Sequence, residues 1–420
     1  MYIFDPYNYP KESVQLEKWD KHSLYLVRIV APIDMKVAFY DYANNYYKAA
    51  HTIARYLLER DNVNIYELDT YFFSLAFLYR HSIELLLKAN AFKWVTNEGD
   101  RIDFVKSTHH NLEDMLVILK SVSQFQRSDD EIEWLERYFN DISEVDKSSD
   151  SFRYPFHVLS EYDELYCELT YSIKRIFEEQ THIDLYKFVN KFEVAFEILN
   201  NWYLENNNCV DELRNLEPFF IENGGFYNGQ SVVGYGYRHD DFYPYIKAYF
   251  DTACYLREYM KEECDLGNKQ ISQELFFPMC YLYRNCAELI LKSILFEESG
   301  EDFQERCRVM LDKKHSILGM WSKLKPFIVK CCDDYGEQLE ELDAIEDYCK
   351  QLHNIDSDAS KFRYPSQKNM NPYFKINKRF DFLHVGKFLE ALNNALDGIN
   401  CIIDKIKEYN AQMESEFYDY

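Results

Sequence analysis

The chain has 420 residues and a formal net charge of −25, from 47 Lys and Arg against 72 Asp and Glu. A surface of that sign repels phosphate backbones and anionic bilayers, which excludes broad nucleic-acid binding, long duplex DNA as a partner and membrane-surface binding, and leaves only a local basic cleft open. Hydrophobic residues make up 47% and charged residues 28%, a globular balance, and Gly (12) and Pro (10) are scarce enough to favour long helices over many tight turns.

In chain order, residues 1–35 read as an N-terminal arm packed on the first domain. Residues 36–221 read as a first helical domain, 222–241 as a Gly-rich linker with room for a short hairpin, and 242–420 as a second helical domain. The linker stretch ENGGFYNGQSVVGYGYRHDD contains Gly224, Gly225, Gly229, Gly234 and Gly236. In each domain the apolar spacing predicts a first helix over 38–60 or 242–262, and an almost wholly apolar, central second helix over 67–95 or 271–298. A third helix starts at His110 or His315. A fourth covers 129–145 or 336–353 and stops before FRYP, where proline bars continuation, and a last helix closes an up-down bundle. The fold class is all-α, two tandem bundles related by internal duplication.

The duplication rests on the sequence compared with itself. LYRHSIELLLK (78–88) matches LYRNCAELILK (282–292), His110 matches His315, and Asp146 precedes FRYP (152–155) as Asp356 precedes FRYP (362–365). YKAAHTIARYL (47–57) parallels IKAYFDTACYL (246–256), and 185–202 resembles 382–399 in apolar spacing.

Arg80, Glu84 and Lys88 stand at i, i+4 and i+8 on the second helix, and Arg284, Glu288 and Lys292 repeat that polar stripe on an apolar background. Charges placed there must pair or line a cleft. One reading makes Arg80, Glu84, Asp146 and Arg153 a buried network tying the second helix to the FRYP corner. The other makes the arginines an anion clamp and His110 a general acid or base, because guanidinium forks match phosphate oxygens and imidazole titrates near neutrality. His81 and His157 occur only in the first copy, opposite Asn285 and Gln367 or Lys368, so any chemistry is expected there, with His110, Arg153, His157, Arg80 and Glu84 as catalytic candidates. His81, Lys88, Asp146, Arg284, Glu288, His315, Asp356 and Arg363 are the ligand-binding candidates.

Eleven cysteines form no CxxC pair and read as reduced thiols. MYIFDPYNYPKES lacks the layout of a secretory leader, and no apolar run approaches the ~20 residues that span a bilayer. A cytoplasmic protein with no metal, cofactor or membrane contact is expected. The 36 Tyr and 31 Phe read as packing in helix seams rather than as nucleobase platforms.

LYRxxxELxLK, the following His-x-Leu helix and the terminal Arg together resemble the HEPN superfamily, over about 38–205 and again 242–405. That resemblance implies paired bundles with a site at their seam. It also implies a prokaryotic defence or toxin-type setting, with RNA or a nucleotide as ligand and metal-independent endoribonuclease chemistry. Arg80-His81 and Arg284-Asn285 match the start of the family's signature, whereas Leu85–Leu87 and Leu289–Leu291 occupy the positions of its closing His. The alternative is a non-catalytic interaction or regulatory subunit of a multi-protein defence complex. A protein partner is expected on either reading, and a homodimer remains open.

Overall fold

The first four helices each begin where the sequence supplies an acceptor for their free N–H groups. Asp34 caps α1 (Met35–Leu58), Asn64 caps α2 (Ile65–Trp94), Asn97 caps α3 (Glu98–Thr108) and Asn111 caps α4 (Leu112–Ser121), each through its side-chain oxygen. These helices belong to a computed structural model that describes residues 8–60, 64–122, 125, 127–163, 168–206, 210, 213, 215–222, 229–234, 242–334 and 341–418. α5 (Asp129–Asp146) and α6 (Leu185–Leu204) complete the first half.

The same order of helices recurs in the second half: α7 (Tyr243–Asp265), α8 (Gln270–Ser293) running into a π-helical turn (Ile294–Glu298), α9 (Phe303–Lys313), α10 (Ile317–Asp334), α11 (Leu342–Ile355) and α12 (Phe382–Tyr418). α3 and α9 are helices beyond those expected from periodicity. The start of the fourth helix of the second half, expected at 336, falls partly outside the described residues.

The fold is mostly helical, with three short antiparallel strand pairs among the described residues that an all-α expectation does not contain. β2 (Phe156–Asp163) and β3 (Glu168–Arg175) form a hairpin directly after the first FRYP. β1 (Leu26–Ile29) pairs with β6 (Lys378–Asp381), and β4 (Thr181–Asp184) pairs with β5 (Gln230–Val233). The described part of the Gly-rich segment thus contributes a strand to the first half rather than an internal hairpin. Likewise the N-terminal arm packs on the second half, not the first. Its backbone N–H groups at Lys11 and Leu16 donate to Tyr348 and Gln351 of α11, and Asn8 bonds Lys387 and Glu390 of α12.

At the centre, α2 and α8 are buried on nearly every side. α1 packs on α2 and α8, and α7 packs on α8 and α2, so the halves share one core. Aromatic rings fill that seam. Tyr42 stacks on Phe277 at 4.9 Å and Tyr245 on Phe73 at 3.9 Å, the same pairing in opposite directions. The phenols of Tyr46 and Tyr249 donate to the carbonyls of Phe362 and Phe152, so each FRYP corner is gripped by the first helix of the opposite half.

Because each half completes the other's edge strand and corner, residues 1–222 and 223–420 produced separately are expected to lack a cooperative thermal transition and to co-purify when produced together. Two separately cooperative halves would contradict this interleaving.

Candidate functional site

Arg80, Glu84 and Lys88 form one stripe on α2 because i, i+4 and i+8 lie on one helical face. That face is sealed in the core: Arg80 is 1%, Glu84 0% and Lys88 3% exposed. Arg80 donates to Glu84 at 2.9 Å and to the His110 carbonyl, and its Nε meets Asp146 at 3.1 Å. Two carboxylates and a backbone carbonyl surround it, so Arg80 is a structural member of the set rather than half of an anion clamp. Lys88 donates to Glu84 Oε1 at 2.7 Å, and His110 Nδ1 lies 3.0 Å from the same oxygen.

The remaining donor comes from the other half. The Tyr364 phenol donates to Glu84 Oε1 at 2.8 Å, with Lys88 Nζ 4.7 Å from its ring centre. The second stripe is built alike: Arg284 and Lys292 bond Glu288, His315 Nδ1 lies 2.9 Å from it, and Tyr154 of the first half donates to it at 2.6 Å. Asp356 stands 3.8 Å from Arg284 Nε. The FRYP corners have therefore changed places relative to the sequence expectation. Arg153 does not join Arg80 and Glu84; it bonds Asp150 at 3.0 Å and Tyr154 at 2.9 Å, beside Glu288. Arg363 faces the first stripe.

His109 and Lys314, at φ 48° and φ 49°, turn the chain so that His110 and His315 face the stripes. With ionised Glu84 as acceptor, Nδ1 is the protonated nitrogen of His110 and Nε2 keeps its lone pair. Burial pushes the His110 imidazole below its ordinary range, and Glu84 only partly restores it. Burial alone would push Glu84 up, but Lys88, His110 and Arg80 outweigh it and hold that carboxyl well below the usual range.

A cavity of about 320 Å³ opens beside the first stripe. Lys88, His110, Arg363, Tyr364, Ser366 and Lys368 supply its polar wall, Asp358 its one carboxylate, and Phe39 part of its apolar wall. Arg363 is 5% exposed; its Nε donates to the Ala359 carbonyl at 2.7 Å, and its Nη1 is buried with no hydrogen-bond partner. Among the described residues no carboxylate pairs with it. Ser366 Oγ is likewise buried and unpartnered. Two unsatisfied polar groups on one cavity wall are what a bound anion would satisfy.

The extra histidines do not take part as expected. His81 is fully buried, with Nε2 3.1 Å from the Arg363 carbonyl, and burial pushes it well below its ordinary range. His157 lies on β2 opposite Lys174 and does not line the cavity. Tyr154, Tyr364, Ser366 and Lys368 were not among the candidate site residues; the repeated tyrosine of FRYP was the available signal for the first two. Among the described residues no three His, Cys, Asp or Glu side chains converge as a metal ligand set, and no helix is long and apolar enough to cross a membrane. No family model, curated protein or solved structure matches the chain.

Tyr364→Phe is expected to cost about 1.5–3 kcal/mol, as a hydrogen bond to a charged group is lost, and Glu84→Gln about 3–5 kcal/mol, as two cations lose their counter-charge. Urea denaturation measures both, and a Glu84→Gln loss below that of Tyr364→Phe would contradict the pairing.

An imidazole depressed in the fold contributes stability that is complete above its unfolded value near about 6.5 and is lost as pH falls through the folded value. The melting temperature should therefore drop between pH 7.5 and 5.5. His81→Asn, the residue found at the equivalent Asn285, should shrink that drop; an unchanged drop would remove His81 from the account.

Proposed function

We propose that the chain is a tandem HEPN-like protein, arisen by internal duplication, that binds RNA or a nucleotide through a phosphate group in the cavity between its two halves. The single observation that carries this reading is the buried Arg363 guanidinium, which has no carboxylate partner among the described residues and shares a cavity wall with Lys88, His110 and Ser366. A guanidinium in that state costs free energy until an anion satisfies it, and phosphate oxygens match its fork. The cationic wall is local, so an acidic chain can hold one phosphate without attracting long nucleic acid.

The Glu84–His110 pair supports metal-free cleavage of RNA at this place. His110 Nε2 would take the ribose 2′-hydroxyl proton. The 2′-oxygen would then bond phosphorus as the bond to the 5′-oxygen breaks, leaving a 2′,3′-cyclic phosphate and a 5′-hydroxyl protonated from solvent. Arg363 and Lys88 would bear the charge on the phosphoryl oxygens. The resemblance to the HEPN superfamily supplies the setting, a prokaryotic defence or toxin-type system.

Filter binding of a labelled single-stranded RNA decamer and titration of AMP test the reading. Arg363→Ala should weaken binding by about 10- to 100-fold, in line with a charged hydrogen bond, while His110→Ala should abolish cleavage and leave binding within a few-fold. Absence of saturable binding to either probe, or an unweakened Arg363→Ala protein, would overturn it. Binding with intact RNA at stoichiometric enzyme would instead leave the chain as a non-catalytic regulatory subunit.

A further inference from the structure

The two seams share a backbone but not a charge balance. Asp150 and Ser360 each stand three residues before the FRYP arginine, after a residue of positive φ (Ser149 at 64°, Ala359 at 61°). Each accepts at its carbonyl from the following Arg and Tyr N–H groups, at 2.9 and 3.0 Å for Asp150 and 3.1 and 2.9 Å for Ser360. Asp146 Oδ1 receives the Ser151 N–H at 2.9 Å, and Asp356 Oδ1 receives those of Ser360 and Lys361 at 3.0 Å. Equivalent side chains can therefore be compared directly.

At Arg153 the Asp150 carboxylate sits 3.0 Å from Nη1. Burial pushes that carboxyl up, but Arg153 and the nearby imidazoles of His157, His110 and His315 outweigh it and hold it below its ordinary value, so it is ionised. At Arg363 the equivalent residue is Ser360, and among the described residues no carboxylate replaces it; Asp358, on the cavity wall, accepts from the Ser360 N–H at 3.3 Å. A second difference follows FRYP. Phe156 occupies the position of Ser366, and its ring packs 5.5 Å from Phe242 and 4.7 Å from Phe296. Phe242 stands three residues before Tyr245 as Phe39 stands three before Tyr42, the two tyrosines that stack alike across the seam, and Phe39 lines the open cavity at the other seam.

We infer that the chain holds one ligand, not two: Asp150 is a built-in occupant of the second seam, its carboxylate standing on Arg153 where the ligand's phosphate stands on Arg363, with Phe156 filling the adjoining space. The inference rests on the phosphate-binding reading above. It makes Asp150/Ser360 and Phe156/Ser366 the residue pairs that decide which seam is open.

Isothermal titration with AMP as the probe counts the sites. The wild-type chain should bind one equivalent. Ser360→Asp should lose binding by at least about tenfold, because an internal carboxylate competes for Arg363 at high effective concentration; its melting temperature should be held or raised by the new ion pair. The Asp150→Ser, Phe156→Ser double variant should bind two equivalents, the second removed by Arg153→Ala. Two equivalents in the wild type, or undiminished binding by Ser360→Asp, would overturn the inference. No binding by the wild type would instead strike the phosphate-binding reading. Should the double variant fail to fold, the wild-type stoichiometry and Ser360→Asp still decide.

Discussion

A carboxylate without water needs several donors, and Glu84 at 0% exposure has drawn them from both ends of the chain. Arg80 and Lys88 come from its own helix, His110 from the next turn of chain and Tyr364 from a point 280 residues away. Glu288 imposes the same demand in reverse, met by Arg284, Lys292, His315 and Tyr154. The exchange of FRYP corners follows from these two buried charges, since removing either phenol leaves its carboxylate short of a donor. Strand pairing of β1 with β6 and β4 with β5 runs in step with that exchange.

The arrangement also reconciles the two sequence readings of the stripe. Arg80, Glu84 and Asp146 pair in a buried network, whereas Arg153, which one reading placed with them, bonds Asp150 and Tyr154 instead. The cationic wall beside it is built from Lys88, which borders both, and from Arg363 and Lys368, which the network does not use. Burial of the network fixes the position of His110 and Tyr364, and those residues give the cavity its shape. Structural roles and the proposed binding roles are thus divided among neighbouring residues.

How much of this was legible in the sequence depends on the reach of each interaction. The stripe follows from i, i+4 spacing alone, and its burial follows from the apolar residues around it. Long helices were also readable, although α3 is short and weakly amphipathic and α9, amphipathic but only 11 residues long, escaped as well. The β2–β3 hairpin lies between two helical stretches with only loose alternation. Pairing of Tyr364 with Glu84, and of the arm with α11, was not readable at all: local sequence contains no record of which copy a repeated corner will join. For the same reason the asymmetry appeared to lie in His81 and His157, which differ between copies, when the residues that matter for charge are Asp150 and Ser360.

The pairing of β1 with β6 carries a consequence for the order of events at the ribosome. Residues 26–29 emerge early, yet their partner strand is 378–381 and the last donor to Glu84 is residue 364. At typical elongation rates the wait is on the order of tens of seconds. Through that interval the first half carries an incomplete ring of donors around Glu84 and no Arg363 beside Lys88. A chain terminated before residue 364 therefore has no finished cavity, and the pocket comes into being only after that corner has been made.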